Sequence, residues 1–132
     1  MGLHQAVVTA DRSVESLLAD ARAGLQRLTP EQAFAAAQEG AVLVDTRSGD
    51  EQREQRGVIP GAVHHPLSVV LWRLDELPRD ARVILICRHG RSSSLAAARL
   101  QELGFRDATD VEGGFEAWAA AGLPVDAVGP DR

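Results

Sequence analysis

The segment around the one cysteine of this sequence concentrates its reactive side chains. It runs Cys87-Arg88-His89-Gly90-Arg91-Ser92-Ser93-Ser94. A thiol is nucleophilic only as its thiolate, which nearby cations and a helix N-terminus stabilise. Backbone N–H groups of a loop that enters a helix can hold a thiolate, a persulfide or an oxyanion. Gly90 allows a positive φ that turns amides inward, and Arg88 and Arg91 add charge that attracts an anionic substrate. The segment therefore predicts a nucleophilic cysteine in an anion-binding loop.

Two plainer interpretations of these residues stay open on sequence grounds. Cys87 follows the apolar run 83–86, and a cysteine in that setting is commonly a small buried hydrophobe. His89 can serve as a general acid near neutral pH, or it can be a loop residue with no part in proton transfer.

Composition excludes several classes of site. The chain has 132 residues, which fits one domain. Its formal net charge of -5 argues against broad binding of nucleic acid or anionic membranes. All 14 basic residues are arginine, so no lysine is available for a Schiff base or a phosphate-binding loop. A single cysteine forms neither an intramolecular disulfide nor a four-cysteine metal site.

The sequence favours a cytoplasmic location. It has no apolar stretch near the roughly 18 residues of a membrane span, and its N-terminus lacks the basic and apolar regions of a signal peptide. A lone thiol stays free in a reducing compartment, so Cys87 would be available for chemistry there.

The elements that must position Cys87 are strands alternating with helices. Short apolar runs predict strands at 41–45, around 63, at 83–86 and at 108–111. Apolar stripes and capping signals predict helices over 13–28, 31–40, 67–77 and 92–104, and a last one from Gly113-Gly114 to Gly122. The serines at 92–94 are expected as N-cap residues. Alternating elements predict a parallel sheet whose ligand crevice lies beyond the carboxyl ends of its strands, where Cys87 falls.

Charged and aromatic side chains outside the loop have structural interpretations. Segment 46–57 is charged throughout and predicts an exposed loop or helical turn. Asp45 and Arg47 are interpreted as a near-surface structural salt bridge or loop hydrogen bond rather than as an acid/base pair. Trp72 and Trp118 lie in helical apolar stripes and are expected as packing anchors.

Histidines give little support for a metal site. His64 and His65 are adjacent, and neighbouring residues on an extended chain point to opposite faces. Further ligands are lacking nearby, so no metal is predicted.

The last predicted helix is expected to carry Phe115, Trp118 and Ala119 on one apolar face.

Four motifs in a fixed order resemble those of the single-domain rhodanese-like, or thiosulfate sulfurtransferase, family. The cysteine loop matches at Cys87, Gly90, Ser92 and Ser93. The other three motifs are Val44-Asp45-Thr46-Arg47, Gly57-Val58-Ile59-Pro60-Gly61-Ala62, and Gly113-Gly114-Phe115-Glu116-Ala117-Trp118 with its continuation Ala121-Gly122-Leu123-Pro124-Val125. Four ordered motifs are far more specific than any one of them.

The resemblance implies an α/β fold with a central, mostly parallel sheet of four to five strands and helices on both faces. It also implies transfer of sulfane sulfur from an anionic donor such as thiosulfate to cyanide or a thiol, through a Cys87 persulfide. The implied substrate-binding residues are Arg88, His89, Gly90, Arg91, Ser92 and Ser93. No metal or organic cofactor is implied, and the expected partners are a small anionic donor and a thiol or protein acceptor.

The resemblance also suggests a division of the chain. Residues 28–126 would form the rhodanese-like domain, and residues 127–132 a loose tail. Residues 1–27 would be an extension whose amphipathic helix packs on the domain or on a partner.

Departures from the family motifs leave alternatives to be weighed. Ser92 stands where the family loop often has an arginine, and Val58 replaces a histidine. Phosphatases and arsenate reductases of related fold are disfavoured, because phosphatases place an arginine six residues after the cysteine, where Ser93 stands. The alternative from another class is a non-catalytic binding or regulatory module.

Overall fold

Four short parallel strands form the central sheet. The computed structural model describes residues 13–128, so the first ten residues, which the sequence leaves unassigned, lie outside the described range, as does most of the tail. The strands are β1 (Val42–Asp45), β2 (Val63–His64), β3 (Val83–Ile86) and β4 (Thr109–Asp110). Their order across the sheet is β2-β1-β3-β4, and every pairing is parallel. The predicted α/β fold is confirmed, with four strands.

Six helices surround the sheet in the described range. They are α1 (Val14–Ala23), α2 (Pro30–Gln38), α3 (Gly49–Glu54), α4 (Leu67–Val70), α5 (Ser92–Glu102) and α6 (Gly114–Ala120), and a 3₁₀ turn spans Leu74–Glu76. None of the helices in residues 13–128 is long and apolar enough to cross a membrane.

The sheet separates two apolar clusters. Alternating side chains of β3 divide between them: Val83 and Leu85 pack on one face, and Ile84 and Ile86 on the other. Helix α5 covers the first face with Ala96, Ala97 and Leu100, and α2 and α6 cover the second with Ala33, Phe115 and Trp118. A strand buried on both faces explains why residues 83–86 form a continuous apolar run.

The helix starts mostly follow their local signals. Thr29 caps α2 in a capping box with Gln32, and Pro30 occupies the first turn. The predicted N-cap role of the serines at 92–94 is wrong, because Arg91 is the N-cap residue of α5 and the serines occupy its first turn. Ser93 contacts the sulfur of Cys87, and the hydroxyls of Ser93 and Ser94 donate to Asp110 at the end of β4.

The prediction of one helix over 67–77 is wrong. Helix α4 ends at Val70 and the chain continues into the 3₁₀ turn, so the helical stripe is broken. Trp72 falls at this break with 83% of its surface exposed and is not a packing anchor. Trp118 does fill the core, whereas Ala119 on the same helix is exposed.

The segment 46–57 is less exposed than its charge predicts. It forms α3, which is capped by Ser48 and Glu51 in a second capping box. Arg47 and Gln52 within this segment are fully buried.

Candidate active site

Cys87 lies at the carboxyl end of β3, the central position that the sequence predicts. Its side chain is 4% exposed. Thr46, which follows β1, donates both its N–H and its hydroxyl to the carbonyl of Ile86, at 2.8 and 2.9 Å. The residue before the cysteine is therefore anchored to the neighbouring strand.

The cysteine sulfur accepts hydrogen bonds from the loop that follows it. The N–H groups of Gly90 and Ser93 point at Sγ, at 3.1 and 3.4 Å. The Ser93 hydroxyl also lies 3.1 Å from Sγ. Gly90 has a φ of +81°, the left-handed conformation that the loop was expected to need. Two backbone donors on one sulfur form a cradle for a thiolate or a persulfide.

The N-terminus of α6 holds the loop from its other side. The N–H of Phe115 donates to the Cys87 carbonyl at 2.7 Å, and the N–H of Glu116 donates to the Arg88 carbonyl at 3.2 Å. Gly114, with a φ of +60°, permits this contact, because a Cβ at this position would collide with the Cys87 carbonyl and the Gly90 nitrogen. The double glycine therefore lets the last helix dock on the cysteine loop.

The charged side chains of the loop are paired, with Arg88 half-buried and Arg91 exposed. Arg88 meets Glu54 at 3.1 Å and Arg91 meets Glu15 at 2.6 Å. Exposed ion pairs are worth only about 0–1 kcal/mol, so an arriving anion can compete for either guanidinium.

The remaining predicted site residues occupy distinct places. His89 Nδ1 lies 3.1 Å from the Glu116 carboxylate, and both side chains are exposed. Ser92 is half-buried at the first position of α5, whereas Ser93 is fully buried beneath the sulfur. The loop thus brings Gly90 and Ser93 to the sulfur, with His89 at the surface.

Sequence reasoning missed a buried carboxylate, Asp110 at the end of β4. It accepts hydrogen bonds from the hydroxyls of Ser93 and Ser94, at 2.8 and 2.7 Å. Arg27 binds both of its oxygens, at 2.9 and 3.2 Å. A polar residue within a short, weak strand was the only available signal, and it does not identify partners 16 to 83 positions away.

A second buried pair lies at the end of β1. Arg47 donates to both oxygens of Asp45, at 3.0 and 2.8 Å, and to the Gly57 carbonyl at 2.9 Å. Its guanidinium stacks 3.7 Å from the centre of the Phe115 ring. The ion pair is present as predicted, but it is buried rather than near the surface.

The two adjacent histidines have different partners. His64 Nε2 lies 2.7 Å from the Arg47 carbonyl oxygen, and His65 Nε2 lies 3.6 Å from a Glu76 carboxylate oxygen. The two rings therefore face different groups, as neighbours on an extended chain do.

Comparison with known proteins gives this geometry a context. Residues 29–121 match the family model of the rhodanese-like domain. The chain belongs to the rhodanese-like domain family. The match covers all four strands, the cysteine loop and α6.

Relatives of this rhodanese-like protein include enzymes of sulfur transfer. It is 43% identical over 98 residues to the thiosulfate sulfurtransferase GlpE of Pseudomonas savastanoi pv. phaseolicola, which covers 72% of this chain and 88% of the relative. It is 37% identical over 87 residues to a sulfurtransferase of Allochromatium vinosum, covering 66% of this chain and 79% of that one.

A solved structure extends the likeness to the fold. The polysulfide-sulfur transferase homodimer of Wolinella succinogenes superposes with a TM-score of 0.73 at 26% identity, over 86% of each chain. The fold of this rhodanese-like protein is therefore shared with a polysulfide-sulfur transferase of known structure.

Proposed function

We propose that the protein is a sulfurtransferase that moves sulfane sulfur through a persulfide on Cys87. The observation that carries the proposal is the buried sulfur at the end of β3, which accepts N–H hydrogen bonds from Gly90 and Ser93. The curated relatives are thiosulfate sulfurtransferases and a sulfurtransferase, which supports the same reaction class.

The first half-reaction loads the cysteine. The Cys87 thiolate attacks the outer sulfur of thiosulfate and forms a new S–S bond. The original S–S bond of thiosulfate breaks, and sulfite leaves with its electron pair. The N–H groups of Gly90 and Ser93 stabilise the negative charge on the bound sulfur.

The second half-reaction unloads it. A thiophile such as cyanide or a thiolate attacks the outer persulfide sulfur and takes it, and the Cys87 thiolate leaves with the electron pair of the broken bond. Because the chain has one cysteine, the acceptor must come from outside it. The scheme is ping-pong, and it needs neither a metal nor an organic cofactor.

The loop side chains serve the substrate in this proposal. Arg88 and Arg91 are each paired with an exposed carboxylate, and each exchanges that partner for the arriving anion. His89 and Ser92 complete the loop surface on which the donor binds. A cytoplasmic location belongs to the same proposal, because a reducing compartment keeps the thiol free.

Phosphatase activity does not fit the site. Ser93 occupies the sixth position after the cysteine, and its hydroxyl bonds to Asp110. A serine cannot supply the planar, bidentate guanidinium that holds a phosphate.

Intact mass tests the proposal directly. The protein is exposed briefly to thiosulfate, with Cys87→Ser treated in parallel, and a reductant is added afterwards. We expect one added sulfur on the wild type alone, removed by reductant, and thiocyanate formation from thiosulfate and cyanide that is lost in Cys87→Ser. Unmodified wild-type mass, at a time when Cys87 alkylates readily, would contradict thiosulfate as donor and favour the binding module.

A further inference from the structure

Two arginines from the N-terminal part of the chain converge on one carbonyl of the cysteine loop. Arg22 Nη2 donates to the Gly90 carbonyl oxygen at 2.7 Å, and Arg27 Nη2 donates to it at 2.9 Å. Arg22 lies in α1 and Arg27 in the segment after it, and both precede the residues that match the family model. The contacts span 68 and 63 positions of sequence, so they are tertiary contacts specific to this arrangement.

Each arginine is itself held in place. Arg22 Nε donates to the Ser94 hydroxyl at 3.1 Å. Arg27 binds both oxygens of Asp110, which also accepts the Ser93 and Ser94 hydroxyls. Hydrogen bonds with a charged partner are about twice as strong as neutral ones, so the guanidiniums form a firm clamp.

The clamp acts on the part of the loop that carries the sulfur donors. Gly90 is the residue whose N–H reaches Cys87 Sγ, and its glycine backbone would otherwise sample many conformations. Only the φ and ψ dihedrals of Gly90 separate its N–H from its carbonyl, so holding the carbonyl narrows the directions that the N–H can take. Asp110 holds the second donor residue, Ser93, from below. One hydrogen-bond network therefore holds both residues that donate an N–H to the sulfur, Gly90 and Ser93.

We propose that Arg22 and Arg27 are positioning residues, which hold the Gly90 end of the loop so that its N–H stays on the sulfur of Cys87. The proposal rests on the function proposed above in taking Cys87 as the nucleophile. It makes α1 and the segment after it a working part of the active site.

The primary test is Arg22→Ala, measured with two reagents of different charge. Thiosulfate is an anion, whereas iodoacetamide is neutral and needs no cation to attract it. Displacement of catalytic groups by about 1 Å can lower rates by about a hundredfold. Arg22→Ala removes one of the two guanidiniums that hold the Gly90 carbonyl, so a smaller effect is expected. We therefore expect the second-order rate constants for persulfide formation and for Cys87 alkylation each to fall about tenfold.

Two further variants separate positioning from other effects. Arg99→Ala in α5 removes an exposed arginine that pairs with Glu102, and both rates should stay within about twofold of the wild type. Arg22→Lys keeps a charged N–H donor and should recover most of the lost rate. All rates are measured below the onset of thermal unfolding, so that a lower folded fraction does not contribute.

Each possible result bears on the positioning role of Arg22 or on the proposed function. Wild-type rates for a folded Arg22→Ala would overturn the positioning role, and so would a decrease with thiosulfate alone, which would indicate attraction of the anion. If Arg22→Ala does not fold, Arg22→Gln, which keeps a long polar side chain without the charge, should show the same decrease, and wild-type rates in it would overturn the proposal. If the wild type takes no sulfur from thiosulfate, the proposed function fails, whereas the iodoacetamide rates still decide the role of Arg22.

Discussion

At the scale of residues, two buried carboxylates flank the strand that precedes Cys87. Asp45 ends β1 and Asp110 ends β4, the two neighbours of β3 in the sheet. A free carboxylate near a thiolate disfavours the thiolate by charge repulsion. Arg47 neutralises Asp45 and Arg27 neutralises Asp110, so neither carboxylate stands unpaired beside the site.

Loss of Arg47 should be strongly destabilising. Arg47→Met leaves the Asp45 carboxylate buried without its cation, and breaking one side of a buried pair costs about 3–5 kcal/mol. The free energy of unfolding from urea denaturation measures this. Arg73→Ala, which removes an exposed arginine paired with Glu76, is the matched control and should change stability by less than about 1 kcal/mol. Equal effects of the two variants would show that burial of the Asp45 pair does not matter.

At the scale of elements, α6 forms where the sequence predicts a helix, whereas α4 is much shorter than predicted. Helix α6 begins where two glycines let its first N–H groups reach the Cys87 and Arg88 carbonyls. Helix α4 ends after one turn, and the stripe of apolar residues that predicted a longer helix does not stay on one face. Trp72 is therefore exposed, although its sequence neighbours Val70 and Leu77 are buried.

Gly114→Ala should damage both stability and sulfur transfer. The new Cβ meets the Cys87 carbonyl and the Gly90 nitrogen in addition to the strain of a positive φ. We expect a loss of at least about 3 kcal/mol in the free energy of unfolding, and slower persulfide formation by the folded fraction.

Gly122→Ala is the matched control for that prediction. Gly122 has a similar positive φ of +73°, but among residues 13–128, its chain neighbours aside, no atom lies within 4 Å of the Cβ that it would gain. Only the backbone strain of about 1–2 kcal/mol should appear, with the activity of the folded protein unchanged. Equal effects of the two glycine substitutions in thermal unfolding and in persulfide formation would contradict the close approach at Gly114.

At the scale of the whole molecule, α1 is packed onto the sheet domain rather than left as an appendage. Leu18 on its inner face is 4% exposed, whereas Leu17 beside it is 42% exposed. Arg22 and Gly24 of this region contact Ser94 and Gln101 of α5. The division of the chain into residues 1–27 and 28–126 stays a prediction. The contacts of α1 with α5 join the two parts.

Leu18→Ala should destabilise the whole domain. Truncation of a buried leucine costs about 2–5 kcal/mol, through lost burial and the cavity that remains. Leu17→Ala in the same helix should change stability by less than about 0.5 kcal/mol, because much of its side chain is already in water. One cooperative thermal transition, moved down by Leu18→Ala, would confirm that α1 unfolds with the sheet. An unshifted main transition would contradict it.

The sequence by itself determined the features that depend on neighbouring residues. The apolar run 83–86, the capping box at Thr29 and the glycine at position 90 have local causes, and their strand, helix start and positive φ are as predicted. The order of four motifs was enough to indicate the family, because the motifs carry the residues of the sheet edge and its loop.

Only the tertiary structure decided which side chains meet. Arg22 and Arg27 reach Gly90 across more than 60 positions, and Asp110 lies beneath Ser93 because β4 pairs with β3. Trp72 is exposed because the chain leaves the helix at Val70. Hydrophobic period and turn chemistry act over a few residues, whereas partner choice depends on how whole elements pack, and no local pattern records that packing.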